Sequence, residues 1–460
     1  MLMGIRLQAH PNSGQKLILS QWMGCARFIW NAKCEEDRYL STFAKKYMPI
    51  GVYAPIDQKF SQYKDGVLSP WLSDCPSQIL RNSVSNWFQT YKAFLKGECG
   101  KPKRKPKTDA GSIHLTNELF RFETCDDGVT RLFVGTKTNN IGYLSLKNHG
   151  PYQPPKSIHI KRRLGQYFVS FCYEDPVDDT SLATGHDHLE YLRGASLEFL
   201  NQHTVGIDRG IVRPVQAGAE VFDLTPEQKR SKTRTARYLK RLQRRLARQK
   251  KGSNRRRKIK GKIGRAHLKM ANIRRDFCHK ASHAIVSNPN HKVIILEDLK
   301  TKNMTKAPKP KQTESGHWEK NGASAKAGLN RQILDQGWHQ FETFLKYKSF
   351  RAGKALFKVS PHMTSQECAA CSHTHPGNRQ SQASFVCGAC GHTDHADRNA
   401  AEVIKKRAIV LILDSGSELS SRGVLLDSGR GATVKTRRAS ARRARGSEAS
   451  KKRGEAAPAA

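Results

Sequence analysis

The stretch CGACGHTDHADRNAAEVIKK, residues 387–406, joins a cysteine pair to a helix-like run that begins close to Asp397. A second cysteine pair lies upstream, and each pair has the spacing C-x2-C. The four cysteines, in two pairs separated by fifteen residues, are Cys368, Cys371, Cys387 and Cys390. Two such pairs supply the four thiolates that a structural zinc ion requires. We therefore predict a structural zinc site whose last cysteine lies shortly before an acidic residue.

The composition of the chain indicates a partner of opposite charge. The 460 residues carry a formal net charge of +42, and the sequence pI is about 10.1. Such an excess suits nucleic acid, although ribosomal and membrane-surface proteins show the same sign. No apolar run is long enough to span a bilayer, no secretory signal is evident, and the seven remaining cysteines are scattered. We therefore expect a cytoplasmic protein, associated with the nucleoid of a prokaryote and not with a membrane.

The first half of the chain changes its pattern twice. A short N-terminal strand is followed by a long helical pattern, in which Asn12 or Ser13 can cap the first helix. From 113 to 174 the pattern becomes that of β-strands, including a hairpin that turns at Leu164 and Gly165. These features predict a small β-barrel or sheet with a helical insertion after its first strand.

The most basic part of the chain lies in its second half. Residues 228–275 hold 22 Lys or Arg among 48 positions and no Asp or Glu, yet apolar residues recur every three or four positions. This periodicity predicts two helices, separated at 252–254, whose shared seam packs inward. A solvated charged hairpin would show the same pattern, but a surface without acids favours phosphate contacts. The candidate nucleic-acid-binding side chains are Arg241, Arg244, Arg245, Arg248, Arg255, Arg256 and Arg257.

Three acidic residues that are far apart in the sequence form a candidate catalytic set. Asp208 and Glu297 end apolar strands, and Asp397 lies at the start of a helix. Alone, each has a simpler interpretation, as a turn residue, a strand-end charge and a helix N-cap, respectively. Together, in a basic chain, they match the RNase H-like arrangement, in which two neighbouring strands and one helix supply carboxylates for a pair of divalent ions.

Five segments of the sequence resemble one known family. They are GCARFIWNAKCEE at 24–36, GIDRG at 206–210, LEDLKTKN at 296–303, TSQECAAC at 364–371 and CGACGHTDHADRNAA at 387–401. In this order they resemble the TnpB nucleases, which are transposon-encoded, RNA-guided relatives of the compact type V CRISPR effectors. The resemblance covers most of residues 1–410. It implies cleavage of double-stranded target DNA beside a short flanking motif, directed by a guide RNA from the transposon end.

The resemblance also implies roles for single residues. The three acids that match the RuvC set, and would bind catalytic Mg²⁺, are Asp208, Glu297 and Asp397. Two other acids are rivals: alternation along a strand would aim Asp298 away from the face that Glu297 uses, and Asp394 lies outside the helix start. Arg379, between the two cysteine pairs, occupies a place where relatives carry a basic residue near the scissile phosphate.

The fold implied by the resemblance is a multidomain α+β protein. A wedge β-barrel (1–11 and 109–182) would carry a helical recognition insertion (12–108), and a linker (183–200) would follow it. An RNase H-like RuvC domain (201–363 and 393–413), with the basic helical hairpin at 228–280, would be interrupted by the zinc ribbon (364–392). Residues 414–460, rich in Gly, Ser, Ala and Arg, are expected to form a disordered basic tail.

Three other functions fit parts of the same sequence. A guide-independent nuclease or transposase would cut according to DNA structure, whether or not RNA is bound. A non-catalytic zinc-ribbon regulator that binds nucleic acid would need none of the three acids. A compact CRISPR effector shares the motifs and would differ in the neighbouring DNA, which would hold a repeat array in place of a transposon end.

Overall fold

The computed structural model describes residues 2–44, 58–108, 110–124, 130–147, 152–174 and 183–427. The chain divides into two compact units, Met1–Asp179 and Thr180–Ala460. Each unit contains both helices and strands, so the protein is of the α+β class. Within the described ranges, no helix combines the length and the apolar character needed to cross a membrane.

The first unit is built on a seven-stranded antiparallel sheet. Its strands are β1 (Leu2–Ala9), β2 (Gly111–Thr116), β3 (Phe120–Thr124), β4 (Thr130–Gly135), β5 (Asn140–Lys147), β6 (Ser157–Arg163) and β7 (Gln166–Glu174). Their order in the sheet is β2-β6-β7-β1-β5-β4-β3. The hairpin of β6 and β7 turns at Leu164 and Gly165, as the sequence predicts. Both have positive φ, which matches the right-handed twist of the flanking strands.

Two helices follow β1 in the sequence and pack against the same unit's sheet: α1 (Ser13–Tyr39) and α2 (Ser77–Leu95). Of the two candidates for the cap of α1, Asn12 is the one that serves. Its side chain accepts a hydrogen bond from the N–H of Gln15, and the Gln15 side chain accepts one from the N–H of Asn12. Trp22, on the buried face of α1, joins strand side chains such as Leu144 in one core.

The second unit contains a five-stranded sheet of order β10-β9-β8-β11-β14. Three strands are parallel and form its centre and one side: β8 (Thr204–Asp208), β11 (Val293–Glu297) and β14 (Ala355–Val359). Two short antiparallel strands extend it: β9 (Val215–Ala217) and β10 (Glu220–Phe222). Parallel strands at the centre of a sheet are buried on both faces, and every residue of β11 is buried accordingly.

The described part of the second unit also contains eight α-helices, several of which pack against this sheet. They are α3 (Gly185–Arg193), α4 (Leu197–His203), α5 (Pro226–Ala247), α6 (Asn254–Ser287), α7 (Thr301–Met304), α8 (Ala323–Gln336), α9 (Trp338–Arg351) and α10 (Ala396–Leu413). Short hairpins complete the unit: β12 (Lys311–Gln312) with β13 (Trp318–Glu319), β15 (Ser384–Val386) with β16 (Thr393–His395), and β17 (Glu418–Leu419) with β18 (Leu425–Leu426).

The basic segment of the sequence forms α5 and α6. Thr225 caps α5, and Ser253 caps α6 through a hydrogen bond from the N–H of Arg256. Leu242 of α5 and Ile259 of α6 are buried, whereas most of the cations around them are exposed. The charge therefore lies on the outer surface of two helices that pack against each other.

The prediction of a linker at 183–200 is wrong. This segment holds α3 and the first half of α4. The side chains of Leu189, Leu192 and Leu200 are buried in the core of the second unit. Only a few leucines attach this segment to the core, and the polar residues between them hide the helical periodicity in the sequence.

The prediction of a disordered tail is wrong for residues 414–427. β17 and β18 pair as a hairpin, and the N–H of Lys358 donates to the carbonyl oxygen of Gly423, which adds the hairpin to the edge of β14. Leu425 is buried in the same core as the leucines of α3. A few apolar residues and a free sheet edge thus order a segment that is mostly polar. Residues 428–460 lie outside the described part of the chain.

Candidate active site

Asp208 and Glu297 end adjacent parallel strands. β8 and β11 pair in register up to Ile207 opposite Leu296, and each acid follows directly. Parallel strands end at the same edge of a sheet, where the ligands of α/β proteins bind. The two carboxylates therefore lie at one edge, with Glu297 buried and Asp208 partly buried.

Gly206 allows helix α10 to lie directly on β8. A Cβ atom at this position would stand 2.0 Å from the carbonyl oxygen of Ala401 and 2.7 Å from the backbone nitrogen of Lys405. Only glycine permits so close an approach of two backbones. The first turn of α10, which carries Asp397, is thereby held near the end of β8.

Asp397 is not the N-cap of α10. The cap is His395, whose ring Nδ1 accepts a hydrogen bond from the N–H of Asp397 at 3.2 Å. The Asp397 side chain is buried instead, and its Oδ1 lies 3.4 Å from the guanidinium of Arg379. The simpler interpretation of Asp397 as a helix cap is therefore excluded, and a cation from the cysteine region lies beside its carboxylate.

The acids influence one another electrostatically. Burial, together with repulsion from Glu297 and Asp397, raises the pKa of Asp208 to about 7, against a weaker opposite effect of Arg379. Burial also raises the pKa of Glu297, and this effect is opposed by the Thr364 hydroxyl and by two arginines. Carboxylates that repel each other in a buried site match the donor set of a hard divalent cation.

The ligand atoms of the three acids are less tightly grouped than the sulfurs of the four cysteines. Among the residues described, the group of potential ligands whose atoms all lie within 4.8 Å of one another is the four-cysteine group. The three acids do not meet that limit. In a two-metal site the ions are about 3.5–4 Å apart. Carboxylates that bind different ions therefore need not lie within 4.8 Å of one another.

A buried arginine links the ends of the two strands that carry the acids. The Arg209 side chain is 1% exposed, donates to the backbone carbonyl of Glu297, and forms an ion pair with Glu342 of α9 at 3.3 Å. Lys358 of β14 pairs with the other oxygen of Glu342. This network joins β8, β11, β14 and α9. Sequence reasoning missed it, because nothing in the local sequence around Glu342 marks it as a partner of Arg209.

The two rival acids take part in other contacts. Asp298 lies 3.9 Å from Lys358, and its N–H donates to the carbonyl oxygen of Val359. Asp394 pairs with Arg398 at 2.6 Å, one turn into α10. Each therefore has an ion-pair partner, and the acids that raise the pKa of Asp208 are Glu297 and Asp397.

The four cysteines form a compact cluster. The Sγ atoms are 3.7 Å apart in the pair Cys368 and Cys390, and 3.6 Å apart in the pair Cys371 and Cys387. Four sulfurs at about 2.3 Å from a tetrahedral ion would be roughly 3.8 Å apart, so the donors fit such an ion. The two turns share one hydrogen-bond pattern: the N–H of each leading cysteine donates to the carbonyl of the residue five positions later, His373 or His392.

The predicted nucleic-acid-binding arginines differ in their surroundings. Six are exposed on α5, on α6 or in the loop that joins them: Arg241, Arg244, Arg245, Arg248, Arg255 and Arg257. Arg256 is half-buried and donates to the carbonyl oxygens of Leu246 at 2.7 Å and Gln249 at 3.0 Å, near the end of α5. Arg256 therefore provides hydrogen-bond donors for carbonyl groups at the C-terminal end of α5, and this role is structural.

Comparison with known families gives three matches. They are "Cas12f1-like, TNB domain" over 338–404, "Probable transposase" of the OrfB type over 188–307, and an OrfB "Helix-turn-helix domain" over 1–34. The third match covers β1 and most of α1, so the segment is a strand followed by a single long helix. The first two cover the acids, the cysteines and the whole of the basic hairpin.

Comparison with individual proteins extends over most of the chain. It is 30% identical, over 93% of its length and 96% of the relative's, to "Putative RNA-guided DNA endonuclease InsQ" of Escherichia coli (strain K12). It is 24% identical over 86% of both chains to a "Putative RNA-guided DNA endonuclease" of Streptomyces pristinaespiralis. In fold it is similar to the protein in "Cryo-EM structure of the Cas12f1-sgRNA-target DNA complex", with a TM-score of 0.50, 12% identity, and coverage of 88% of this chain and 98% of that one. Since the first of these relatives is matched along almost its whole length, the chain belongs to the TnpB (OrfB) family of transposon-encoded proteins.

Proposed function

We propose that this protein is an RNA-guided DNA endonuclease. The observation that supports this most strongly is the convergence of Asp208, Glu297 and Asp397 from two adjacent strands and one helix, in a family whose relatives are named as such enzymes. A binding protein gains nothing from buried acids that repel each other, because burial of like charges destabilises a fold. In a hydrolase, by contrast, the same carboxylates would bind the catalytic cations, and the bound cations would offset their repulsion.

In this proposal the three acids hold divalent cations. When bound, Mg²⁺ would activate water and stabilise the leaving oxygen during phosphodiester hydrolysis. Asp208 and Glu297 provide rigid ligands, because each ends a central strand, and Asp397 provides a ligand on the first turn of α10. Arg379 lies close enough to Asp397 to pair with it in the free protein and to turn toward a DNA phosphate in the complex.

The cysteine cluster serves as a structural zinc site in this proposal, within a ribbon at 364–392. Its donor set of four thiolates leaves no open position for chemistry. The ribbon carries Arg379 and leads directly into α10, so zinc would fix both the cation and the third acid. Chelation of zinc would therefore disturb the active site without removing a catalytic ligand.

The remaining parts are assigned by family likeness and by charge. We propose a wedge β-barrel at 1–11 and 109–182 with a recognition insertion at 12–108, and an RNase H-like nuclease domain at 201–363 and 393–413. The exposed arginines of α5 and α6 would hold the backbone of a guide RNA from the transposon end, and base pairing would select the double-stranded DNA target. Such a protein would act in the cytoplasm, on the nucleoid.

The test is cleavage of a plasmid by protein purified together with its RNA. Wild-type protein is expected to cut the plasmid that matches the guide and to spare one with a scrambled target. Asp208→Ala should bind the same RNA and the same target but leave both plasmids intact. Cleavage that ignores the guide would favour a guide-independent transposase, and cleavage by Asp208→Ala would refute the proposed site.

A further inference from the structure

Thr364 contacts one of the three acids. Its hydroxyl lies 2.5 Å from Oε1 of Glu297, and both side chains are buried. The carbonyl oxygen of Pro361 lies at 3.4 Å and is the more distant acceptor. A hydroxyl has one proton to donate, so the carboxylate receives it. A hydrogen bond to a carboxylate is charge-assisted and holds the acceptor in one orientation.

The loop that carries Thr364 is clamped to helix α10. Arg407 of α10 donates to the carbonyl oxygens of Ser360 at 3.2 Å and His362 at 2.6 Å, and forms an ion pair with Glu367. Asn399, also on α10, donates to the carbonyl oxygen of Glu367 at 2.7 Å. The loop is thus held before and after Thr364 by the helix that carries Asp397.

We propose that Thr364 is a positioning residue that holds the Glu297 carboxylate in the orientation in which it binds a divalent cation. The Thr364 hydroxyl donates a hydrogen bond to Oε1 of Glu297. Among the residues described, no hydrogen bond is directed at Oε2 of Glu297, so this oxygen is left for the cation. Thr364 lies four residues before the first ribbon cysteine, so it connects the ribbon and α10 to an acid on the neighbouring strand. This inference rests on the proposed role of the three acids.

The effect of losing this contact is a weaker cation site. Without the hydroxyl, the Glu297 side chain would sample other rotamers, and binding a cation would have to select one of them. Loss of a partner that orients a metal ligand typically weakens metal binding by 10–100-fold. We expect about a tenfold weaker affinity for Mn²⁺ in Thr364→Val, which keeps the branched shape and removes only the donor. Thr364→Ser keeps the donor and should stay within about threefold of the wild type.

The experiment measures Mn²⁺ binding to the full-length, zinc-loaded protein without nucleic acid, from the electron paramagnetic resonance signal of free Mn²⁺. Asp208→Asn serves as the reference for loss of the acid site. Thermal unfolding without Mn²⁺ shows that the variants are folded. If Thr364→Val is not folded, Thr364→Ala takes its place. Plasmid cleavage then gives a second measurement. Thr364→Val should need more Mg²⁺ than the wild type to reach its half-maximal rate of cleavage. At saturating Mg²⁺ it should cleave at most of the wild-type rate.

The outcomes separate this inference from the proposed function. Wild-type affinity in Thr364→Val would overturn the inference alone, as would an equal loss in Thr364→Ser, because the hydroxyl would then not be responsible. Wild-type Mn²⁺ binding in Asp208→Asn would overturn the proposed acid site, and the role of Thr364 with it. Tenfold weaker binding in Thr364→Val, together with near-normal binding in Thr364→Ser, is the supporting result.

Discussion

Replacing Asp208 by Asn should stabilise the protein in the absence of divalent cations. The pKa of Asp208 is about 7 in the fold, whereas an unfolded Asp titrates near 3.8. Three pKa units at about 1.4 kcal/mol each correspond to an upper limit of roughly 4 kcal/mol of destabilisation by the ionised carboxylate. Since the Asp208 side chain keeps some contact with solvent, we expect about half of that, roughly 2 kcal/mol. Asn is isosteric with Asp and carries no charge, so it removes this destabilisation.

The pH dependence has a definite sign. Below pH 3.8 the carboxyl is protonated in both states and the destabilisation is absent. It grows as the pH rises, because the unfolded state ionises first, and it is complete above the folded pKa of about 7. At pH 8 the advantage of Asp208→Asn over the wild type should be full, and at pH 5 about a third of it should remain.

The assay is differential scanning calorimetry of the full chain without added magnesium. A unit of this size shifts its midpoint by about 2–4 °C per kcal/mol, so Asp208→Asn should unfold roughly 4–8 °C higher at pH 8. Magnesium should raise the midpoint of the wild type more than that of the variant. Asp298→Asn is the matched control: it loses the same charge beside Lys358, and should gain no stability. A lower midpoint for Asp208→Asn at both pH values would refute the electrostatic reasoning.

Three further changes test the frame around the site. Gly206→Ala should lower the midpoint by several degrees, because its Cβ would stand 2.0 Å from the backbone of α10, whereas Gly24→Ala meets no atom within 4 Å and should be neutral or stabilising. Leu425→Ala should cost about 2–5 kcal/mol of unfolding free energy in denaturant titrations, while Leu426→Ala, which is 41% exposed, should cost far less; equal losses would contradict the packing of the C-terminal hairpin. Since we propose that the four cysteines bind zinc, Cys387→Ser should contain less zinc than the wild type, measured by mass spectrometry of metals, and should lose most of the plasmid cleavage. Full zinc content in this variant would contradict the four-cysteine site.

Much of the fold could be predicted from local sequence. Asn12 caps a helix because a short polar side chain reaches the N–H three residues later, and the turn at Leu164 and Gly165 is a two-residue hairpin loop. Asp208 and Glu297 end buried strands, and the apolar runs before them are visible without any structure. Each of these features depends on residues that are close together in the chain.

The rest depends on contacts between distant segments. Thr364 is separated by 67 positions from Glu297, and Arg209 by 133 positions from Glu342, so neither partnership leaves a pattern in the sequence. The leucines of α3 and α4, and Leu425, are buried because a core lies beside them, and their polar neighbours conceal this. Composition alone groups Arg256 with the nucleic-acid-binding arginines, although its contacts are those of a helix end.

The central claim is that Asp208, Glu297 and Asp397 together bind divalent cations. The most direct measurement is the anomalous scattering of Mn²⁺ in crystals of the full-length protein, with Asp208→Asn crystals treated in the same way. We predict Mn²⁺ at the edge of the sheet, within coordination distance of all three carboxylates when two ions are bound, and much weaker signal in the variant. Manganese that occupies other sites while these carboxylates stay free of it at millimolar concentration would contradict the claim.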